Sequence, residues 1–125
     1  MGIEIYDCKM KNNFIRNFSN YYLILYQNYL CFAQTEAKKP GCVLIKYKYP
    51  LRHIEAQFDR SDPRILIILA KDKNNNMVDL SVNFDDMGKT QNIKQSIEQN
   101  RKSARNTEYL LLDSYFDDLI NKMKF

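Results

Sequence analysis

Two hydrophobic rhythms divide the chain. From residue 3 to residue 84, apolar and aromatic side chains recur mostly at every second position, and after that they recur every third or fourth. Period two marks strands that bury one face, and a spacing of three to four marks an amphipathic helix. The first strand, IEIYDCKM (3–10), sets Glu4, Tyr6, Cys8 and Met10 against Ile3, Ile5, Asp7 and Lys9. In NYYLILYQNYLCFAQ (20–34), Tyr21, Leu23 and Leu25 precede Gln27-Asn28, and Tyr29 and Cys31 follow it. Two such runs around a short polar pair predict a β-hairpin, with Asn28 supplying the positive φ of its turn. Four more strands are expected: 42–49, which Pro50 ends, then 53–58, 64–71 and 77–84. The near-continuous apolar run RILIILAK (64–71) predicts the most buried of the seven.

Beyond Gly88 there is neither proline nor glycine, and helix formers dominate to about Lys122. Ile93, Ile97, Arg101 and Ala104 fall at helical spacing and give the first half a narrow stripe. The second half, NTEYLLLDSYFDDLINKMKF, is far more amphipathic: Tyr109, Leu112, Phe116, Leu119 and Met123 form one seam, with Asp113, Asp117 and Lys122 off it. One continuous helix would be roughly 50 Å long. Asn106-Thr107-Glu108 can instead cap a fresh start, so two helices, or one kinked near Asn106, are expected. The fold class that follows is α+β, mainly β: seven strands and a closing helix over 1–106, then an amphipathic helical extension over 107–125.

The order and lengths of these elements resemble a pleckstrin-homology (PH) domain, a bent antiparallel barrel of seven strands plugged at one end by its C-terminal helix. NYYLILYQNYLCFAQ resembles that family's second and third strands, PGCVLIKY its fourth, and VDLSVNFDDMGKTQNIKQSIEQNRKSA its last strand, link and helix. The resemblance covers roughly residues 3 to 106. The family's closing helix carries a tryptophan that faces the barrel. This sequence contains none, so Ile93 or Ile97 is expected to fill that space. The family's phosphoinositide signature sets lysine at the end of the first strand, which Lys9 and Lys11 match. Its basic positions at the start of the second strand are replaced by Phe18-Ser19-Asn20, with Arg16 nearby.

Composition narrows the function classes. The 125 residues suit one domain, and 45% hydrophobic with 27% charged residues is a globular balance. No apolar run is long enough for a membrane span, and the N-terminus has neither a signal sequence nor a myristoylation pattern. Cys8, Cys31 and Cys42 are odd in number and not closely paired, which fits reduced thiols and a cytoplasmic setting. The net charge of +4 permits contact with anionic surfaces without demanding it.

The resemblance implies a non-enzymatic module that binds anionic phospholipid, phosphoinositide or phosphatidic acid, on the cytosolic face of a membrane. The expected site is a basic patch at the open barrel end: Lys9, Lys11 and Arg16, with Lys46 and Lys48 on one face of strand four, Arg52 near a strand end, and Lys38 and Lys39 widening the patch. Phe14 and Ile15, between the cations, are candidates to dip into the acyl region. The alternative is a protein-interaction adaptor that works through the groove beside the closing helix. It could equally use the seam of Tyr109, Leu112, Phe116, Leu119 and Met123, offered to a partner or to a second copy. FDDMGKT (84–90) lacks the first glycine of a phosphate-binding loop, because that position is Asn83. Its aspartates suit a helix N-terminus better. His53, the single histidine, reads as a strand residue, and Asp59, Asp62, Asp85 and Asp86 read as turn residues. No catalytic constellation, cofactor or metal set emerges, and nucleic acid is not an expected partner.

Overall fold

A computed structural model describes residues 3–12, 17–26, 28–35, 43–72 and 74–104. Its strands are β1 (Glu4–Asn12), β2 (Ser19–Tyr26), β3 (Tyr29–Thr35), β4 (Val43–Pro50), β5 (Glu55–Phe58), β6 (Ile65–Lys71) and β7 (Met77–Asn83), followed by helix α1 (Met87–Ala104). All seven strands join one antiparallel sheet in the order β4-β3-β2-β1-β7-β6-β5. The joint is β1. Glu4 to Met10 pair with β2, and Lys9 to Asn12 pair with β7, so the first strand ties the last one into the sheet.

The inner face follows the period-two pattern. Cys8 and Met10 from β1, Leu23 and Leu25 from β2, Leu30 and Phe32 from β3, and Leu66, Ile68 and Ala70 from β6 fill one core with Leu80 and Val82. Tyr21 packs edge-on against Phe32 at 6.2 Å and tilted against Tyr47 at 6.2 Å, which continues the core toward β4. The core is closed by α1, whose Ile93 and Ile97 are 0% and 1% exposed and meet it directly, as expected for the tryptophan-less helix. Thr90 is fully buried, and its hydroxyl lies 2.9 Å from the Arg64 carbonyl and 2.8 Å from the Asp86 carbonyl, which fixes the helix start against the β6 entry. Asp86 caps that start by accepting the Lys89 N–H at 2.9 Å.

Several local expectations are corrected. The most buried strand is β3, not 64–71: Leu30, Cys31, Phe32 and Ala33 are all buried in succession, whereas β6 alternates buried and half-buried residues. The hairpin forms as expected between Tyr26 and Tyr29, and Asn28 sits in its turn. The Asn28 carbonyl accepts the Leu51 N–H at 2.7 Å, which binds the turn to the chain that leaves β4. Among the described residues, positive φ falls at Asn75 (66°) and Asp85 (62°), in the links that follow β6 and β7. His53 is not in a strand; it ends a 3-10 turn (Leu51–His53), because the chain turns after Pro50 and β5 begins only at Glu55. The seam at 109–123 and the start near Asn106 lie outside the described residues.

Because α1 closes the core through two isoleucines, Ile93→Ala is expected to cost about 3 kcal/mol of unfolding free energy. Loss of the cap in Asp86→Ala is expected to cost about 1 kcal/mol. Urea titrations followed by circular dichroism measure both.

Candidate functional site

Lysine belongs on the outer face of a half-buried strand, and β1 places Lys9 and Lys11 there, opposite Cys8 and Met10. Lys9 is level with Asn20 of β2 and Asn83 of β7, and Lys11 is level with Ser81. The Lys11 ammonium sits over the Phe18 ring at 4.9 Å, which holds it beside the β1–β2 connection. Arg16, Phe14, Ile15, Lys38 and Lys39 lie outside the described residues.

Beside Lys9 the sheet opens. The pairing of β2 with β3 stops at Tyr22 and Ala33, and beyond it Gln34 bridges the gap by donating to the Asn20 carbonyl at 3.1 Å. A cavity of about 490 Å³ fills the widening, lined by Asp7, Asn20, Tyr21, Tyr22, Gln34 and Thr35 among others. Amides and hydroxyls of this kind suit a hydroxyl-bearing ligand, and Lys9 is level with Asn20 of the lining. Asp7 also lines the cavity, and a carboxylate there would oppose a phosphate.

Among the described residues, Lys48 and Arg52 do not converge on this rim. The register of β4 passes from Ile45 opposite Ala33 to Tyr47 opposite Phe32, so Lys46 is the extra residue of a bulge. The period-two reasoning that set Lys46 and Lys48 on one face is therefore interrupted between them. Lys48 is level with Cys31, Ile24 and Ile5, and its ammonium lies 5.2 Å from the centre of the Tyr29 ring. Lys9 is four residues further along β1 and three strands away, roughly 20 Å between backbones.

Arg52 belongs to a second basic group that sequence reasoning missed. A depression of about 270 Å³ brings together Arg52 and His53 from the 3-10 turn, Lys71 from the end of β6 and Arg101 from the last turns of α1, with Glu55 and Met77. Arg101 donates to the Ile54 carbonyl at 3.0 Å, and Arg52 Nε donates to His53 Nε2 at 3.2 Å. Slight desolvation, then the charges of Arg52 and Lys71, hold His53 below the ordinary 6.5. These residues come from a turn, a strand end and a helix, so no local motif announces them.

The scattered aspartates serve turns, as expected. Asp59 accepts from the Ser61 amide and hydroxyl, Asp62 accepts from the Arg64 amide and guanidinium, and Asp72 accepts from the Asn74 and Asn76 amides. Burial pushes the Cys8 thiol up to about 12 and the Tyr49 hydroxyl up to about 12. Among the described residues, no group of three or more histidine, cysteine or acidic side chains is placed to hold a metal ion, and no helix is long and apolar enough to cross a membrane.

No protein-family model and no curated protein matches the sequence. Solved structures do match. The PH domain of ArhGAP27 aligns over 79% of this chain and 98% of its own, with 12% identity and a TM-score of 0.61. The activated truncation of Vav1 aligns over 82% of this chain with 12% identity and a TM-score of 0.65. The DH/PH domains of PDZ-RhoGEF, in complex with GTP-γ-S-activated RhoA, align over 81% with 12% identity and a TM-score of 0.64. The chain spans 27% of that Vav1 chain and 29% of that PDZ-RhoGEF chain, less than a third of either. At these identities the likeness shows the fold: a PH-like barrel of seven strands and a C-terminal helix.

Two-dimensional NMR of the His53 ring should give a titration midpoint below 6.5, since neighbouring cations disfavour the imidazolium and its Nε2 accepts from Arg52. Arg52→Gln should raise that midpoint.

Proposed function

We propose that this PH-like domain is a non-enzymatic recruitment module that takes anionic phospholipid head groups, phosphoinositide or phosphatidic acid, at the lysine rim of β1. The observation that carries this reading is the pair Lys9 and Lys11, projecting from one face of β1 beside a polar cavity, with Lys11 braced on Phe18. Arg16 is the third cation of the site, and Phe14 and Ile15 enter the acyl region from the same connection. Lys46, Lys48 and Arg52 contribute from a distance, as further attraction to the same surface. Each cation near an anionic leaflet adds about 1 kcal/mol, so the attachment is reversible and salt-sensitive. The protein then works at the cytosolic face of a membrane, as a peripheral component of the cytoplasm.

A second reading has its own observation. Strand β5 ends the sheet order, and beside it runs a groove of about 280 Å³ lined by Ile54, Ala56, Gln57, Leu69, Ile97 and Arg101. An extended peptide laid against that edge would make the domain a protein-interaction adaptor.

Liposome co-sedimentation at moderate salt distinguishes the two. Vesicles with phosphatidic acid or a phosphoinositide should pellet the protein, and neutral vesicles should not. Lys9→Glu/Lys11→Glu should weaken binding by roughly 30-fold or more, the loss of two contributions of about 1 kcal/mol. Absence of pelleting on every anionic vesicle would move the function to the groove.

A further inference from the structure

Strand β6 outruns its neighbour. Pairing with β5 reaches only to Glu55, opposite Leu69, whereas β6 runs on through Ala70 and Lys71, held on its other side by Val78 and Met77 of β7. The 3-10 turn occupies that end of the sheet instead, and α1 packs against the turn. The depression of about 270 Å³ lies where turn, strand overhang and helix meet. Its cations are therefore set by the fold. Arg52 comes from the turn and Lys71 from the overhang, and Arg101 is held by its 3.0 Å bond to the Ile54 carbonyl. Arg52 and His53 are exposed, and Lys71 and Arg101 are half-buried.

Like charges gathered in this way repel one another. Arg52, Lys71 and Arg101 stand against one carboxylate of the described lining, Glu55. Among the described residues, ion pairs join Arg64 to Asp62 and Lys94 to Glu98, and the cations of the depression take part in neither. Asp72, next to Lys71, accepts from the Asn74 and Asn76 amides of its own turn. The crowding is felt at His53, whose imidazolium is disfavoured first by slight desolvation and then by Arg52 and Lys71. The ring accepts from Arg52 Nε at 3.2 Å. Each guanidinium thus commits one nitrogen within the protein and keeps its other donors for a ligand.

We propose that this depression is a phosphate-binding site in its own right, which takes a phosphomonoester or pyrophosphate group through Arg52, Lys71 and Arg101. Two planar guanidinium forks and an ammonium are the donor set that phosphate oxygens favour. The site is separate from the lysine rim. Lys11 is level with Ser81 and through it with Ile67, and Lys71 lies four residues further along β6. With two strands to cross as well, the separation is roughly 16 Å along the sheet, too far for one phosphate to touch both. Binding is coupled to His53, which Arg52 of the turn, Glu55 of β5, Lys71 of β6 and Arg101 of α1 surround. A bound phosphate favours the imidazolium, which then donates to it and releases Arg52 Nε. The His53 midpoint therefore rises on binding, and affinity increases as pH falls from the bound midpoint to the free one.

Inorganic pyrophosphate is the probe, titrated into the full chain at an ionic strength held constant with sodium chloride and followed by amide NMR. The amides of Arg52, His53, Lys71 and Arg101 should shift to saturation, and the His53 ring midpoint should rise. Arg52→Gln/Lys71→Gln should weaken the affinity by about tenfold or more, read at the Arg101 amide. Arg60→Gln/Lys89→Gln removes the same charge elsewhere and should leave the affinity unchanged. Shifts that never saturate, that centre on other residues, or that both double variants weaken equally would overturn the site. If Arg52→Gln/Lys71→Gln loses its fold by circular dichroism, Lys71→Gln alone decides by the same comparison. Pelleting on phosphatidic-acid vesicles then names the carrier of the phosphate. Pelleting that falls together with the pyrophosphate affinity in Arg52→Gln/Lys71→Gln assigns the site to a lipid head group. Pelleting that is unchanged, or absent from the start, while pyrophosphate affinity falls assigns it to a soluble phosphate compound.

Discussion

The double pairing of β1 is the constraint on which the rest of the structure depends. At Lys9 and Met10 the backbone is matched on both sides, to β2 and to β7. A central strand of this kind cannot slip by one residue, because a slip would turn Cys8 and Met10 outward and drive Lys9 and Lys11 into the core. The core register and the basic rim are therefore one decision. The cavity beside Lys9 exists for a related reason: β2 stays bound to β1 as far as Ser19 while its pairing to β3 has already stopped at Tyr22.

Much of this was legible in the sequence. Alternation or short apolar runs between turn residues marked all seven strands, and the two tyrosine-rich runs around Gln27-Asn28 marked the hairpin. The isoleucines at 93 and 97 marked the helix that closes the core. What escaped lies where local pattern and tertiary contact part company. The bulge at Lys46 leaves no trace in composition, since one extra residue only shifts parity. The 3-10 turn at Leu51–His53 depends on a hydrogen bond to Asn28, far away in sequence. The degree of burial of β2 and β3 was understated because period two was sought on one face, when YYLILY is apolar on both. An unbroken apolar strand was the available signal.

The candidate site was legible in part. Lys9 and Lys11 could be assigned to one strand face from spacing alone. That Lys48 and Arg52 sit far from them follows only from the sheet order, and the company that Arg52 keeps with Lys71 and Arg101 follows only from the packing of α1. A PH-like barrel offers several such surfaces at once: a rim, an edge-strand groove and a basic depression beside the helix end. Fold alone does not choose among them, so the functional reading rests on which side chains each surface presents.

Joining the first strand to the last also governs the order in which the molecule can assemble. Strands β1 to β4 lie consecutively in sequence and can pair as soon as they leave the ribosome. Closure onto β7 must wait until residue 83 has been made, some seventy positions after its partner in β1. Until then the inner face of β1–β4, including Phe32 and Leu23, is open to solvent, and the high sequence separation of that last pairing slows the final step. The seam between β1 and β7 is thus where a nascent chain is longest incomplete and most in need of protection from its neighbours.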